Sequence, residues 1–454
     1  MKKVHFIAIG GSAMHNLALA LHQKGYVITG SDDEIVEPSK SRLEKSGILP
    51  ERAGWFPNKI NHELNAVILG MHARTDNPEL VRAQELNIPI YSYPGYIYNQ
   101  SQHKKRVVIG GSHGKTSITA MILHVLNYWN KNSDYLVGAQ LSGFDTMVKL
   151  TEDAEEIILE GDEYLASPIE RVPKFHLYKP NIAVISGIAW DHINVFPTFE
   201  EYLLQFKIFV DLIEPNGKLI YFEEDEAIKS IVQNKRPDIT YIPYHAHNHF
   251  IEKGKTYLID GKASFVLNVF GKHNLQNMSA AKAVCKELKI NTSQFYEAIL
   301  SFGGAARRLE KIFDNGHTLV FKDFAHSPSK LKATTASVKE QFLQKKLIAC
   351  MELHTFSSLN AEFLKEYHGC MQKADVAYVY FNPKTVIHKK LEPITSEQVK
   401  KAFGGNVIVF ENSDLLLKQL KNEDYNESVL LVMTSGNFDG IDLNALPVIL
   451  GLKS

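Results

Sequence analysis

Cysteine is scarce in this chain. There are three in 454 residues, Cys285, Cys350 and Cys370, far apart and without metal-ligand spacing. So sparse and odd a set builds neither a disulfide framework nor a zinc cluster, and it fits a reducing cytoplasm. Long apolar runs are missing too: no stretch approaches the roughly 18 residues a membrane helix needs. The opening MKKVHFIAIGGSAM has too short an apolar run before Gly10-Gly11 for a signal peptide and reads as a first β-strand. Net charge is −1, from 50 Lys+Arg against 51 Asp+Glu, so nothing argues for a nucleic-acid or membrane surface. The short basic run Lys104-Lys105-Arg106 sits at a strand start, where a solvated loop accounts for it. Internal repeats and low-complexity stretches are absent. What remains, 44% apolar and 22% charged residues, is ordinary globular composition, and the length asks for about three domains.

The first hundred residues alternate strand and helix. Strands are expected at 4–9, 26–29, 66–69 and 88–91, with a helix over 13–23, which is the βαβ rhythm of a Rossmann-like sheet. Its turn, Gly10-Gly11-Ser12-Ala13-Met14, lacks the third glycine of a dinucleotide fingerprint, so a hydride-transfer cofactor is weakly supported. Asp32 follows about 20 residues later, where an acidic side chain can bond a ribose or base; a turn or capping aspartate is the alternative. A polar stretch at 99–106 marks a boundary, giving expected domains at 1–102, 103–303 and 304–454. The middle one has strands at 156–160 and 182–185, a helix after Pro197 that Thr198 and Glu201 would cap, short β-like pieces over 215–270 and a helix at 274–288. The last returns to near-continuous apolar strands at 318–322, 347–351, 376–381, 407–410 and 429–433, as a buried parallel sheet requires.

The strongest functional statement is VVIGGSHGKTS at 107–117, an apolar strand running into a glycine-rich loop and a helix. Such a turn aims backbone N–H groups at one point, the lysine adds a mobile positive charge, and the following hydroxyl can ligate magnesium. Ile118, Met121, Ile122, Val125, Leu126 and Trp129 recur at helical spacing behind it. Gly110 and Gly114 enclose three residues where the common loop has four. Glu160 ends a buried strand in ILEGDEY, with Asp162 and Glu163 close behind, where acidic groups can hold magnesium beside Thr116; a solvated acidic turn is the alternative. Trp190-Asp191-His192 offers a second metal or phosphate site. Lys207 lies among apolar neighbours, inviting a lowered pKa or plain snorkelling. Asn274 and Asn277, in GKHNLQN, share a helical face and could read an adenine edge, or Asn274 could simply cap the helix.

In order along the chain, GSHGKTS, EGDEY, DH followed by lysine, GKHNLQN, ARRLE and DFAHSP together closely resemble the Mur ligase family, the ATP-dependent amide-forming enzymes of peptidoglycan assembly. The resemblance spans essentially the whole chain. It implies an α/β fold of three domains: a Rossmann-like UDP-binding domain, a central P-loop ATPase domain and a C-terminal Rossmann-like domain for the amine. HFIAIGG…GSD resembles the branch whose acceptor is UDP-N-acetylmuramate. EGDEY, DFAHSP and the late SGNFDGI resemble the members that add L-alanyl-γ-D-glutamyl-meso-diaminopimelate during recycling, more than those that add L-alanine.

Carried over position by position, the resemblance implies ATP on Gly111, Ser112, His113, Gly114, Lys115, Thr116 and Ser117. It places adenine on His273, Asn274 and Asn277, and magnesium on Thr116, Glu160 and His192. Arg308 would reach the γ-phosphate, and Asp323 and His326 would approach nucleotide and reaction centre. Gly10, Gly11, Ser12, Ser31, Asp32 and His72 would bind the UDP-sugar. Lys207 stands where several members carry a carbamylated lysine that bridges metal. Recycling members commonly read EPRS where this chain has Glu352-Leu353-His354-Thr355, so His354 replaces an arginine near the amine. Expected partners are UDP-N-acetylmuramate and a cell-wall peptide or amino acid, with no nucleic acid and no membrane; monomer and homodimer both stay open.

Overall fold

The computed structural model describes residues 1–452 except His72, Leu141, Ser142, Asp191, His192, Lys262, Ala306 and Arg307, and of Ala263 the backbone alone. The chain divides into two compact units, 1–188 with 200–244 and 280–295, and 189–199 with 245–279 and 296–454.

The first unit holds two sheets. Strands β1 (Lys3–Ile7), β2 (Val27–Ser31), β3 (Ala66–Leu69) and β4 (Ile90–Ser92) form a parallel sheet in the order β2-β1-β3-β4. Ile7, Val67, Leu69, Leu80 and Ile88 build one of its cores. The first strand stops at Ile7, short of the expected residue 9, because Ala8 turns the backbone to φ +67°.

The second sheet comprises β5 (Lys105–Gly110), β6 (Asp134–Leu136), β7 (Val148–Lys149), β8 (Glu156–Glu160), β9 (Ile182–Ile185), β10 (Lys218–Phe222) and β11 (Thr240–Tyr244), ordered β11-β10-β9-β5-β8-β6-β7. All pairs are parallel except β6 with β7. The chain leaves β5 toward β6 on one side and later builds β9 to β11 on the other, so the carboxyl end of β5 is a topological switch point, where α/β sheets bind ligands. Register sets Ile109 beside Glu160 and Gly110 beside Ile185, which brings the expected loop and the acidic strand end level.

The second unit holds an antiparallel meander of β12 (His249–Glu252), β13 (Lys255–Asp260) and β14 (Ala263–Leu267), the origin of the β-like pieces past residue 245. Its larger sheet comprises β15 (Glu310–Asp314), β16 (Thr318–Asp323), β17 (Lys346–Leu353), β18 (Val376–Phe381), β19 (Ile408–Phe410) and β20 (Ser428–Met433), ordered β15-β16-β20-β17-β18-β19. Strand β15, which pairs antiparallel with β16, departs from the purely parallel sheet expected for 304–454. Successive residues of the inner strands feed two separate cores: Phe321, Ala349, Met351, Leu431 and Met433 on one face, Val320, Ile348, Cys350, Leu430 and Val432 on the other. Burial on both faces is why these strands read as unbroken apolar runs.

Candidate active site

Strand β5 enters the glycine loop with Val107, Val108 and Ile109 fully buried, and helix Lys115–Tyr128 leaves it. Gly114 caps that helix at φ +82° with no side-chain hydrogen bond and no acidic residue in the first turn, the kind of helix start that suits an anionic ligand. Gly111 sits at φ +132°, and a Cβ there would collide with Ser186 Oγ at the end of β9. Only glycine fits both demands. Ser186 Oγ lies in hydrogen-bonding reach of the carbonyls of Gly110 and His113, and Ser112 N donates to Gly187 O (2.9 Å), so the β9 end braces the loop. The His113 ring packs against Gly187, and Ser117 is buried in the first helical turn.

Lys115 Nζ donates to Gly111 O (2.7 Å) and to Glu163 Oε2 (2.5 Å). Burial pulls its amine downward, but the carboxylates of Glu163, Asp162 and Glu160 outweigh that and hold it above the usual lysine range. Thr116 Oγ1 donates to Glu160 Oε1 (2.8 Å), while Gly138 N donates to Glu160 Oε2 (2.7 Å). Burial raises the Asp162 carboxyl, yet Lys174, whose Nζ is 2.6 Å away, together with Lys115 leaves it below the ordinary range. Thr116 and Glu160 thus offer adjacent hard oxygen donors beside the loop, which suits magnesium. Among the described residues no group of three or more His, Cys, Asp or Glu is arranged to hold a metal, and His192 lies outside them.

One side chain here escaped sequence reasoning. Tyr202 is fully buried, its hydroxyl donating to Glu163 Oε1 (3.1 Å) and lying 2.8 Å from Ser112 Oγ. In sequence it is one more aromatic on a helix, whereas Glu163, expected among the acids that can hold magnesium, pairs with Lys115. Lys207 requires a correction: on helix Phe199–Asp211 it is exposed while Phe206 and Phe209 beside it are buried. The apolar neighbours point inward and the lysine points away from them, because they occupy the core stripe and it does not.

At the carboxyl end of β1, Gly10 N donates to Asp32 Oδ2 (2.7 Å), and Ser31 O accepts from Ala8 N (2.9 Å). Burial pushes the Asp32 carboxyl up to about 6; the Gly10 N–H pulls it down, and Asp33 pushes it further up. Gly11 caps helix Ser12–Gln23 without a side-chain bond, and Ser12 is exposed. His72 lies outside the described residues.

In the second unit, Asn274 is already inside helix Lys272–Glu287 and its amide donates to Phe270 O (2.8 Å), so it does not cap; Asn277 is buried. His273 Nδ1 lies 3.2 Å from Ser337 Oγ, and burial lowers its pKa although Asp323 pulls it upward. The Asp323 carboxylate accepts from Leu309 N (2.6 Å) and Ala325 N (2.8 Å), tying β16 to the backbone next to Arg308. The Arg308 guanidinium lies 4.8 Å from the Phe324 ring centroid, and His326 Nδ1 donates to Phe324 O (2.8 Å). Buried Glu352 is the penultimate residue of β17, accepting from Phe438 N (3.0 Å) and from Thr434 Oγ1; its other oxygen lies 3.5 Å from His354 Nδ1. Gly436 passes so close that a Cβ would lie 2.7 Å from that nitrogen.

Residues 3–105 match the Mur ligase family catalytic domain and residues 109–285 the Mur ligase middle domain. UDP-N-acetylmuramate–L-alanine ligases are similar: that of Desulfitobacterium hafniense is 30% identical, covering 82% of each chain, and that of Caldicellulosiruptor bescii 31%, covering 88% of each. Among solved structures, a murein peptide ligase of Psychrobacter arcticus covers 100% of both chains (TM-score 0.67, 21% identity). A UDP-N-acetylmuramate–alanine ligase of Thermotoga maritima covers 97% of both (TM-score 0.70, 22% identity). No helix among the described residues is long and apolar enough to cross a membrane. The chain belongs to the Mur ligase family, whose members are ATP-dependent ligases that form amide bonds.

Proposed function

We propose that this ligase joins L-alanyl-γ-D-glutamyl-meso-diaminopimelate to UDP-N-acetylmuramate in the cytoplasm, during peptidoglycan recycling. A carboxylate does not condense with an amine at neutral pH, because hydroxide is a poor leaving group. Phosphorylating the lactyl carboxylate from ATP creates an acyl phosphate, which a neutral amine attacks with loss of phosphate. The loop amides and Lys115 bind and orient the transferring phosphoryl group. Thr116 and Glu160 are the described residues that would hold magnesium, which supplies electrophilic charge to the phosphates when bound. The same reading gives Arg308 to the γ-phosphate, Asp32 to the uridine side and His354 to the amine.

The observation that carries the choice of amine is the meeting of two segments. Glu352, in the stretch that departs from EPRS, binds the backbone of the SGNFDGI segment at Phe438, and Gly436 packs on His354. These are segments through which the chain resembles, and departs from, the peptide-recycling members. A second reading, addition of L-alanine alone, is favoured by the names of the similar curated proteins. Phosphate release with ATP and UDP-N-acetylmuramate, measured against alanine, dipeptide, tripeptide and tetrapeptide, separates them. Turnover with tripeptide supports the proposal; turnover with alanine and none with tripeptide replaces it by the second reading.

A further inference from the structure

The ammonium of Lys115 rests on Glu163, an acid of EGDEY to which the proposed function gives no role. Glu163 has only 1% of its side chain exposed and Lys115 14%, so their pair is largely out of water. The carboxylate is held from its far side by Tyr202, whose hydroxyl in turn reaches Ser112 in the glycine loop. Ser112, Tyr202, Glu163 and Lys115 therefore form one hydrogen-bonded chain that starts and ends in the loop.

A lysine ammonium has three N–H donors. Two are spent, on Gly111 O and on Glu163 Oε2, and these two bonds fix the direction of the third. A buried carboxylate stripped of its cation is strongly unfavourable, so an arriving phosphate cannot simply take the lysine away. We propose that Glu163 is a positioning residue for the P-loop lysine: it stays paired with Lys115 when nucleotide binds, and, anchored by Tyr202, aims the remaining N–H at a phosphate oxygen. The inference rests on the phosphate-binding role given to Lys115 above. It adds that lysine placement depends on a carboxylate and a tyrosine that do not themselves touch nucleotide.

A positioning role separates turnover from nucleotide affinity. Glu163→Gln keeps the side-chain shape but removes the ionic hold, so kcat should fall about tenfold or more while the KM for ATP does not rise. Tyr202→Phe keeps the buried ring and removes only the hydroxyl; kcat should fall about threefold to tenfold, again without a rise in KM. Glu163→Asp, which retains the charge, should recover part of the kcat lost in Glu163→Gln. Direct binding of ADP to each variant checks affinity independently of turnover and of the amine, so it remains informative if the choice of amine fails. Unchanged kcat in both Glu163→Gln and Tyr202→Phe would overturn the proposal. So would markedly tighter ADP binding in Glu163→Gln with kcat preserved, since Glu163 would then compete with phosphate for the lysine.

Discussion

The chain builds the same device twice in its first unit and gives it opposite charge. At β1 and again at β5, a parallel strand ends in a glycine turn, and a helix starts from a glycine cap with no side-chain bond and no acid in its first turn. Several other helices are closed by side chains instead: Asn77, Ser92, Asp225, Asn382, Thr395 and Asn412 each accept a backbone N–H at their helix starts. The two glycine starts offer no such side-chain acceptor. Beside the first stands Asp32, a carboxyl accepting from Gly10 N; beside the second stands Lys115, an ammonium donating to Gly111 O. A partner that accepts hydrogen bonds suits neutral hydroxyls, while a cation suits the phosphates of ATP. The backbone makes both places receptive, and one side chain decides for what.

The largest effect is expected on the cationic side. Lys115→Ala should abolish turnover and also lower stability by about 3 kcal/mol, because Glu163 loses its cation in a buried setting. Lys115→Ala/Glu163→Gln should regain most of that stability without regaining activity, as urea melts and phosphate release would record. Equal stability of the single and double variants would break the claim that the pair is coupled. Gly111→Ala comes next. The positive φ and the collision with Ser186 should distort the loop and weaken ADP binding about a hundredfold, while leaving UDP-N-acetylmuramate binding unchanged, since that is assigned to the other turn.

On the anionic side the effects are smaller and run the other way. Asp32→Asn should raise the acceptor KM about tenfold and leave that for ATP alone. Burial raises the Asp32 pKa from 3.8 to about 6, so the folded chain holds this proton more tightly than the unfolded chain does. The Asp32 contribution to stability is therefore present below pH 3.8 and declines as pH rises through about 6. Ionisation over the upper part of that window makes it a better acceptor, so the acceptor KM should fall from pH 5 to pH 7 in the wild type and stay flat in Asp32→Asn. In the second unit, His354→Ala should raise the amine KM about threefold to tenfold with the ATP KM unchanged.

Much of this was legible in the sequence, for a physical reason. Strands such as Ala66–Leu69, Glu156–Glu160 and Ile182–Ile185 announce themselves because burial on both faces writes continuous apolar runs. The P-loop is legible because glycine, lysine and threonine at that spacing have few other uses. The meander strand His249–Glu252 and the edge strand Glu310–Asp314 are harder to read, being partly exposed and lacking such runs. The Glu163–Tyr202 contact is invisible in sequence because the two lie 39 residues apart and meet only through tertiary packing. Lys207 misleads for the converse reason. Its sequence neighbours are apolar, but a helix turns 100° per residue, so adjacent positions face different surroundings.

The most direct test offers the protein ATP, UDP-N-acetylmuramate, and equal concentrations of L-alanine and the tripeptide L-alanyl-γ-D-glutamyl-meso-diaminopimelate, and identifies the amide product by mass. The expected product is UDP-N-acetylmuramoyl-tripeptide, with one ADP and one phosphate formed for each. Exclusive formation of UDP-N-acetylmuramoyl-alanine would contradict it.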